Sequence, residues 1–221
     1  MTALTEQFFN LRIMAAAWPM ILSGLATTLL LCLAVIPLGL AGGLAAALGA
    51  RSRRAWVRWP VIALVDLFRA LPPLVLLIFV YSGLPFAGVR LDPFAAVVVA
   101  FLLNNSAYYG EILRAGIGSV PKGQAEAARS TGLTHTQAMA WVVLPQAVRN
   151  VLPDLLSNTV EVVKLTSLAS MVSLSEMLHE AQMARSVTYN ASPIVLAAGV
   201  YLAILWPLVR LVSRFERRVA A

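Results

Sequence analysis

The 221-residue chain is 60% hydrophobic and 12% charged, with a mean hydropathy of +0.81; this composition excludes a soluble globular domain and indicates an integral membrane protein. At about 20 apolar residues per spanning helix, the length accommodates roughly five spans and no separate soluble domain. The net charge of +7 does not indicate nucleic acid, because the basic residues punctuate the ends of apolar runs. The one cysteine, Cys32, allows neither a disulfide nor a cysteine metal site.

In chain order, MTALTEQFFNLRIMAAAWPM lacks a basic region with a cleavage site and is expected to stay as an interfacial helix leading into the first span. That span runs near 20–50, where Gly39 and Gly43 form a GxxxG pair suited to close helix packing. Arg51, Arg53, Arg54 and Arg58 follow in one short loop, expected in the cytoplasm. A second span, 59–81, carries Asp66 and Arg69 at same-face spacing, a gate or structural pair, and Pro72–Pro73 predicts a kink. SGLPFAGVRLDP reads as a short outside loop. The third span is 94–113, the fourth 142–172 with interruptions at Pro145 and Pro153, and the fifth 193–212, before the basic tail SRFERRVAA. Gathering the basic segments on one side gives an all-α membrane protein with its N-terminus outside and its C-terminus in the cytoplasm. No inverted repeat relates the two halves, so the chain is expected to act in an oligomer, a partner supplying the other wall of any pathway.

Within the cytoplasmic stretch 119–145, Pro121 suits a first helical turn, alanines favour helix, and Gly132 fits a left-handed residue just past the helix end. Thr134 with Gln137 three residues on makes a capping-box pattern for a second helix running towards Pro145. Ala125, Ala127 and Ala128 leave a nearly flat surface on which another protein's backbone could rest, with Glu126 and Arg129 offering charge beside it. The alternative is a solvated connector in which Glu126 and Arg129 pair.

Polar groups at span depth are costly and mark candidate sites. Asn104, Tyr108 and Glu111 recur at helical spacing, with Asn105 and Tyr109 beside them. Asn104, Asn105 and Tyr108 could hydrogen-bond a zwitterion or, alternatively, a neighbouring helix. Glu111 is expected to pair with Arg114 or Arg69. Glu161 and Lys164, three apart, neutralise each other or separate to meet the two ends of a bound amino acid. Ser173–Asn190 reads as a short amphipathic helix at the outer surface, with Met177, Leu178, Ala181 and Ala184 on one side. His179 is expected to be a surface histidine, since the only other one, His135, lies on the opposite side.

Glu126-Ala127-Ala128, then Gly132, then Leu144-Pro145 resembles the EAA loop of bacterial ABC importer permeases. FRALPPLV (68–75), LNNSAYYGEILRAGI (103–117), GQAEAARSTGL (123–133), LPQAVRNVLP (144–153) and KLTSLAS (164–170) extend the resemblance over nearly the whole chain and narrow it to the polar amino acid uptake branch. Two positions depart from that branch: Leu165 stands where an acid is usual, and the usual Asn before the lysine falls at Ser157, beside Asn158. The resemblance implies the type I ABC importer fold, with 125–132 as the coupling helix seated in a cleft of a cytoplasmic ATPase dimer. It also implies a second permease subunit, identical or homologous, an extracytoplasmic binding protein, and a bacterial inner-membrane location. The chain contains no GxxxxGK[ST] loop, so ATP and Mg are expected on the partner ATPase and no cofactor or metal on this chain. No GxSxG, HExxH or Cys/His set supports a hydrolase, and an ion-coupled carrier or channel using the buried charges is the alternative.

Overall fold

The computed structural model describes residues 2–219, and every regular segment among them is helical. A short helix α1, Thr2–Phe8, precedes α2, Leu11–Ala50. Asn10 starts α2 by accepting hydrogen bonds from the backbone N–H groups of Arg12 (3.1 Å) and Ile13 (3.2 Å). The helix that carries the expected first span therefore begins at Leu11. Its 40 residues extend about 60 Å, twice the roughly 30 Å hydrocarbon layer.

Next come α3, Ala55–Ala70, and α4, Pro73–Ile78. Leu71 and Pro72 between them are extended (ψ 129 and 132), so the expected kink is a complete break. A π-helical segment, Phe79–Gly83, continues from α4 just before Pro85, which cannot donate to the carbonyl four residues back. The next spanning helix is α5, Pro93–Ser119, followed by α6, Lys122–Ser130, and α7, His135–Ala138. A second π-helical segment, Met139–Val143, again stands just before a proline, Pro145.

The stretch 142–172 is divided, with boundaries beside the two prolines expected to interrupt it: the chain forms α8, Leu144–Asn150, α9, Leu152–Leu165, and a 3₁₀ segment, Thr166–Val172. Pro145 and Pro153 each remove a ladder donor, and Val151 leaves the helical region at φ −110, ψ 14. The chain closes with α10, Met177–Thr188, and α11, Ser192–Val219. Ala3–Ala50, Pro93–Ser119 and Ser192–Arg214 are long and apolar enough to cross a membrane; Ala55–Ala70 with Pro73–Ala87 adds a fourth if that bent pair is one span. The part of the basic tail beyond Arg214 lies outside the residues whose side chains are described.

Two compact units form. One gathers the N-terminal segment to Ile36, Pro72–Phe101 and Val160–Arg210; the other gathers Pro37–Leu71, Leu102–Thr159 and the segment from Leu211. In the first, Ile21, Met177, Ala181 and Ala197 make a buried cluster, and a Cβ at Gly24 would lie 2.7 Å from the Cα of Met177. In the second, the GxxxG pair does what its spacing suggested. A Cβ at Gly43 would lie 2.6 Å from the Cβ of Tyr109 and 2.8 Å from the backbone nitrogen of Gly110, so α2 meets α5 backbone to backbone.

Candidate coupling and translocation sites

The stretch 119–145 is built by local signals. Pro121 (φ −57, ψ 137) introduces α6, and the Thr131 hydroxyl donates to the Ala128 carbonyl (2.8 Å) at its end. Gly132 follows at φ +93, a backbone conformation that costs an L side chain about 1–2 kcal/mol. Thr134 Oγ1 accepts from the Gln137 N–H (3.3 Å) while Gln137 Oε1 accepts from the Thr134 N–H (2.9 Å), completing the capping box.

The three alanines do not share one face. Ala128 is buried and Ala125 half-buried, three apart and turned into the protein, whereas Ala127 is exposed together with Glu126 and Arg129. Neither Glu126 nor Arg129 enters an ion pair among the described residues. Beside Lys122 and Gln124, the exposed side of α6 carries a small residue, Ala127, near two opposite charges that are unpaired among the described residues.

On α5, Glu111 accepts from Arg114 Nε at 2.9 Å and stands 3.9 Å from Arg69 Nη1, so it meets both arginines considered for it. Arg69 also lies over the Tyr108 ring, 5.8 Å from its centre. Asp66 shares a cavity of about 320 Å³ with Glu111 and Arg114 but forms no ion pair with Arg69.

The polar face of α5 has a specific structural use. In a continuous helix, the carbonyls of Phe68 and Arg69 would accept from residues 72 and 73, but both are prolines and have no N–H. Asn104 Nδ2 donates to the Phe68 carbonyl (3.1 Å) and the Tyr108 hydroxyl to the Arg69 carbonyl (3.4 Å). These two side chains replace the two missing backbone donors. Asn104 and Asn105 are each 1% exposed, Tyr108 is on the surface, and Tyr109 is fully buried with its hydroxyl 2.8 Å from Thr159 Oγ1.

On α9, Glu161 and Lys164 form the expected i,i+3 ion pair, with 60% and 48% of their side chains exposed. Lys164 and Ser167 border an open groove of about 530 Å³ whose other residues, Tyr201, Leu202, Leu205 and Trp206 among them, come from α11. Asn158, one turn earlier, holds its buried Nδ2 without an acceptor.

Glu176 was not singled out from the sequence. It is completely buried and caps α10, its carboxylate accepting from the N–H groups of Leu178 (2.8 Å) and His179 (2.7 Å) and from the Tyr201 hydroxyl (3.3 Å). Burial pushes its carboxyl up from the ordinary range to about 7, with those hydrogen bonds acting in the opposite sense. Met177, Ala181 and Ala184 are buried behind it, so α10 is packed into its unit and does not simply rest on a surface. A carboxylate immediately before an apolar stripe was the available signal, since N-caps favour an oxygen acceptor.

The sequence model described as "binding-protein-dependent transport system inner membrane component" matches residues 39–221. A probable amino-acid ABC transporter permease of Bacillus subtilis, YckA, is 34% identical over 200 residues, covering 90% of this chain and 88% of that one. The glutamine transport system permease GlnP of Escherichia coli is 33% identical, covering 93% and 96%. Among solved structures, an amino acid ABC transporter crystallised with histidines has a chain with a TM-score of 0.83 and 36% identity, covering 93% of this chain and 96% of that one. The inward-facing methionine transporter MetNI shares the fold at a TM-score of 0.75 and 19% identity, covering 90% and 96%.

Proposed function

This chain belongs to the binding-protein-dependent transport system inner membrane components, and from that premise we propose how it works. It is a multi-pass permease subunit of an ABC importer in a bacterial inner membrane; a transporter component, it is not itself an enzyme. The transported class is a polar amino acid or derivative, a reading supported by relatives named for amino acids and glutamine. An ion-coupled carrier finds no support in these likenesses.

Five crossings with the N-terminus outside place α6 on the cytoplasmic face, where it seats in a separate P-loop ATPase dimer carrying ATP and Mg. A second permease subunit completes the pathway, and an extracytoplasmic binding protein delivers the ligand. Closure of the ATPase moves α6, and the glycine turn and capping box pass that displacement on as rigid motion, switching the pathway between the two membrane faces. The observation that carries this reading is the exposed set Glu126, Ala127 and Arg129 on a capped helix–glycine–helix, its two charges without an ion pair among the described residues.

Glu161 and Lys164 are proposed to face the pathway or the second subunit, because charges this exposed are too costly against lipid. Asn105 and the unpartnered amide of Asn158 stand with them as pathway candidates, whereas Asn104 and Tyr108 act through the α3 terminus, and Asp66, Arg69, Glu111 and Arg114 hold the inner end of α5. The test is affinity purification of the tagged chain from native membranes in mild detergent. Stoichiometric recovery of a P-loop ATPase supports the assembly; recovery of the chain alone rejects it.

A further inference from the structure

Arg51, Arg53, Arg54 and Arg58 put four positive charges into eight residues, and no acidic residue occurs from there to Val65. Not one of the four enters an ion pair among the described residues, in contrast to Arg69 and Arg114, which share Glu111. Two of them lie over tryptophan rings instead: Arg54 is 6.0 Å from the centre of Trp56 and Arg58 is 5.4 Å from that of Trp59. Those rings are 73% and 61% exposed, and α3, to which they belong, has no buried residue.

Exposed indoles beside uncompensated guanidinium groups match one environment in particular. At a bilayer surface the indole sits at headgroup level with its apolar body towards the acyl chains, and a guanidinium presents paired N–H donors to a phosphate. We propose that Arg51–Trp59 is a binding site for the phosphate headgroup of anionic phospholipid in the cytoplasmic leaflet, anchoring the α2–α3 loop and the start of α3. Charge complementarity selects this occupant: the patch carries +4 with no ion-pair partner among the described residues, and each arginine near an anionic surface favours partition about fivefold. The site is independent of which solute the importer carries.

The intact transporter, in bilayers of phosphatidylcholine with phosphatidylglycerol, is exposed to a trace of either lipid bearing a photoreactive group near the headgroup, and adducts are mapped by peptide mass spectrometry. The expected result is labelling of the 51–59 segment by phosphatidylglycerol at least tenfold above phosphatidylcholine. In Arg54→Gln/Arg58→Gln that preference falls at least about fivefold, while Arg54→Lys/Arg58→Lys, which keeps the charge, retains a clear preference. Arg51 and Arg53 remain in both variants to hold the loop inside, and unchanged labelling of α11 certifies insertion. Equal labelling by the two lipids in the unaltered protein overturns the proposal. So does absence of labelling by either lipid while α11 is labelled, because the patch is then covered by protein, such as an acidic face of the ATPase.

Discussion

In α6, Glu126 and Arg129 have no ion-pair partner among the described residues; at the end of α3, each carbonyl left without a donor by Pro72 and Pro73 has acquired one from α5. Both regions look equally functional from residue types alone. The difference teaches that a polar residue in a membrane chain points to an external ligand only when the fold leaves it unsatisfied. Asn104 and Tyr108 supply donors that a double proline lacks, whereas Glu126 and Arg129, exposed and without an ion pair among the described residues, are the ones proposed to meet something outside the chain.

The comparison breaks most readily at Gly132. A leucine there opposes φ +93 and shifts α6 relative to α7, although nothing lies within 4 Å of the position a Cβ would take. In proteoliposomes, Gly132→Leu should lower transport at least tenfold, by more than 1.4 kcal/mol of lost coupling, with ATP hydrolysis retained. Transport and hydrolysis falling together would reduce this segment to a structural connector.

Next in size is Glu176, a buried carboxylate outside the spanning helices, faced by Thr28 and Tyr201 and near Glu180 and His179. Its folded pKa of about 7 lies above the unfolded value of 4.5, so the folded state holds the proton more tightly. Stability is therefore greatest below about pH 4.5, falls as pH rises to about 7 and is level above that, with a span of at most about 3 kcal/mol. Glu176→Gln should flatten that slope in detergent melting curves recorded between pH 4.5 and 8. An unchanged slope would show that the carboxylate is not the source.

Asn104→Leu leaves the Phe68 carbonyl without a donor and should cost about 1–3 kcal/mol of stability. The sharper measurement is a double-mutant cycle with Pro72→Ala/Pro73→Ala, which restores the backbone N–H four residues after Phe68 and removes the bar to a helical residue 72. The Asn104→Leu cost should shrink in that background; an equal cost in both would mean that Asn104 does something other than replace the missing donor. The smallest effect is expected at the coupling surface itself. Arg129→Gln should weaken ATPase association by about 0.5–1 kcal/mol and make the remaining affinity less sensitive to salt, as measured by detergent-solubilised binding.

The helix–glycine–helix of 119–145 is legible because its signals are local: Pro121, Gly132, Thr134 and Gln137 lie within 17 consecutive positions, and the glycine turn and capping box form as their chemistry suggests, with Pro121 one position before the first turn. What spacing alone did not resolve is which alanines turn inward, a matter of how α6 packs. The double proline predicts a kink, but the donors it calls for lie more than 30 residues away on α5, and only the fold brings them together. In 142–172 the interruptions at Pro145 and Pro153 are legible in the sequence, whereas the non-helical Val151 and the closing 3₁₀ stretch are not. Glu176 was passed over because a lone acid beside an amphipathic stripe resembles solvated surface until Gly24, Thr28 and Tyr201 close over it.

The most direct test of the central claim uses the burial difference inside α6. A photoreactive benzophenone side chain is placed at position 127 or at position 128 of the intact transporter, and the products are separated after illumination. The account predicts a strong adduct between position 127 and the ATPase and none from position 128, which is turned into its own chain. Equal labelling from both positions, or no ATPase adduct from position 127, would contradict it.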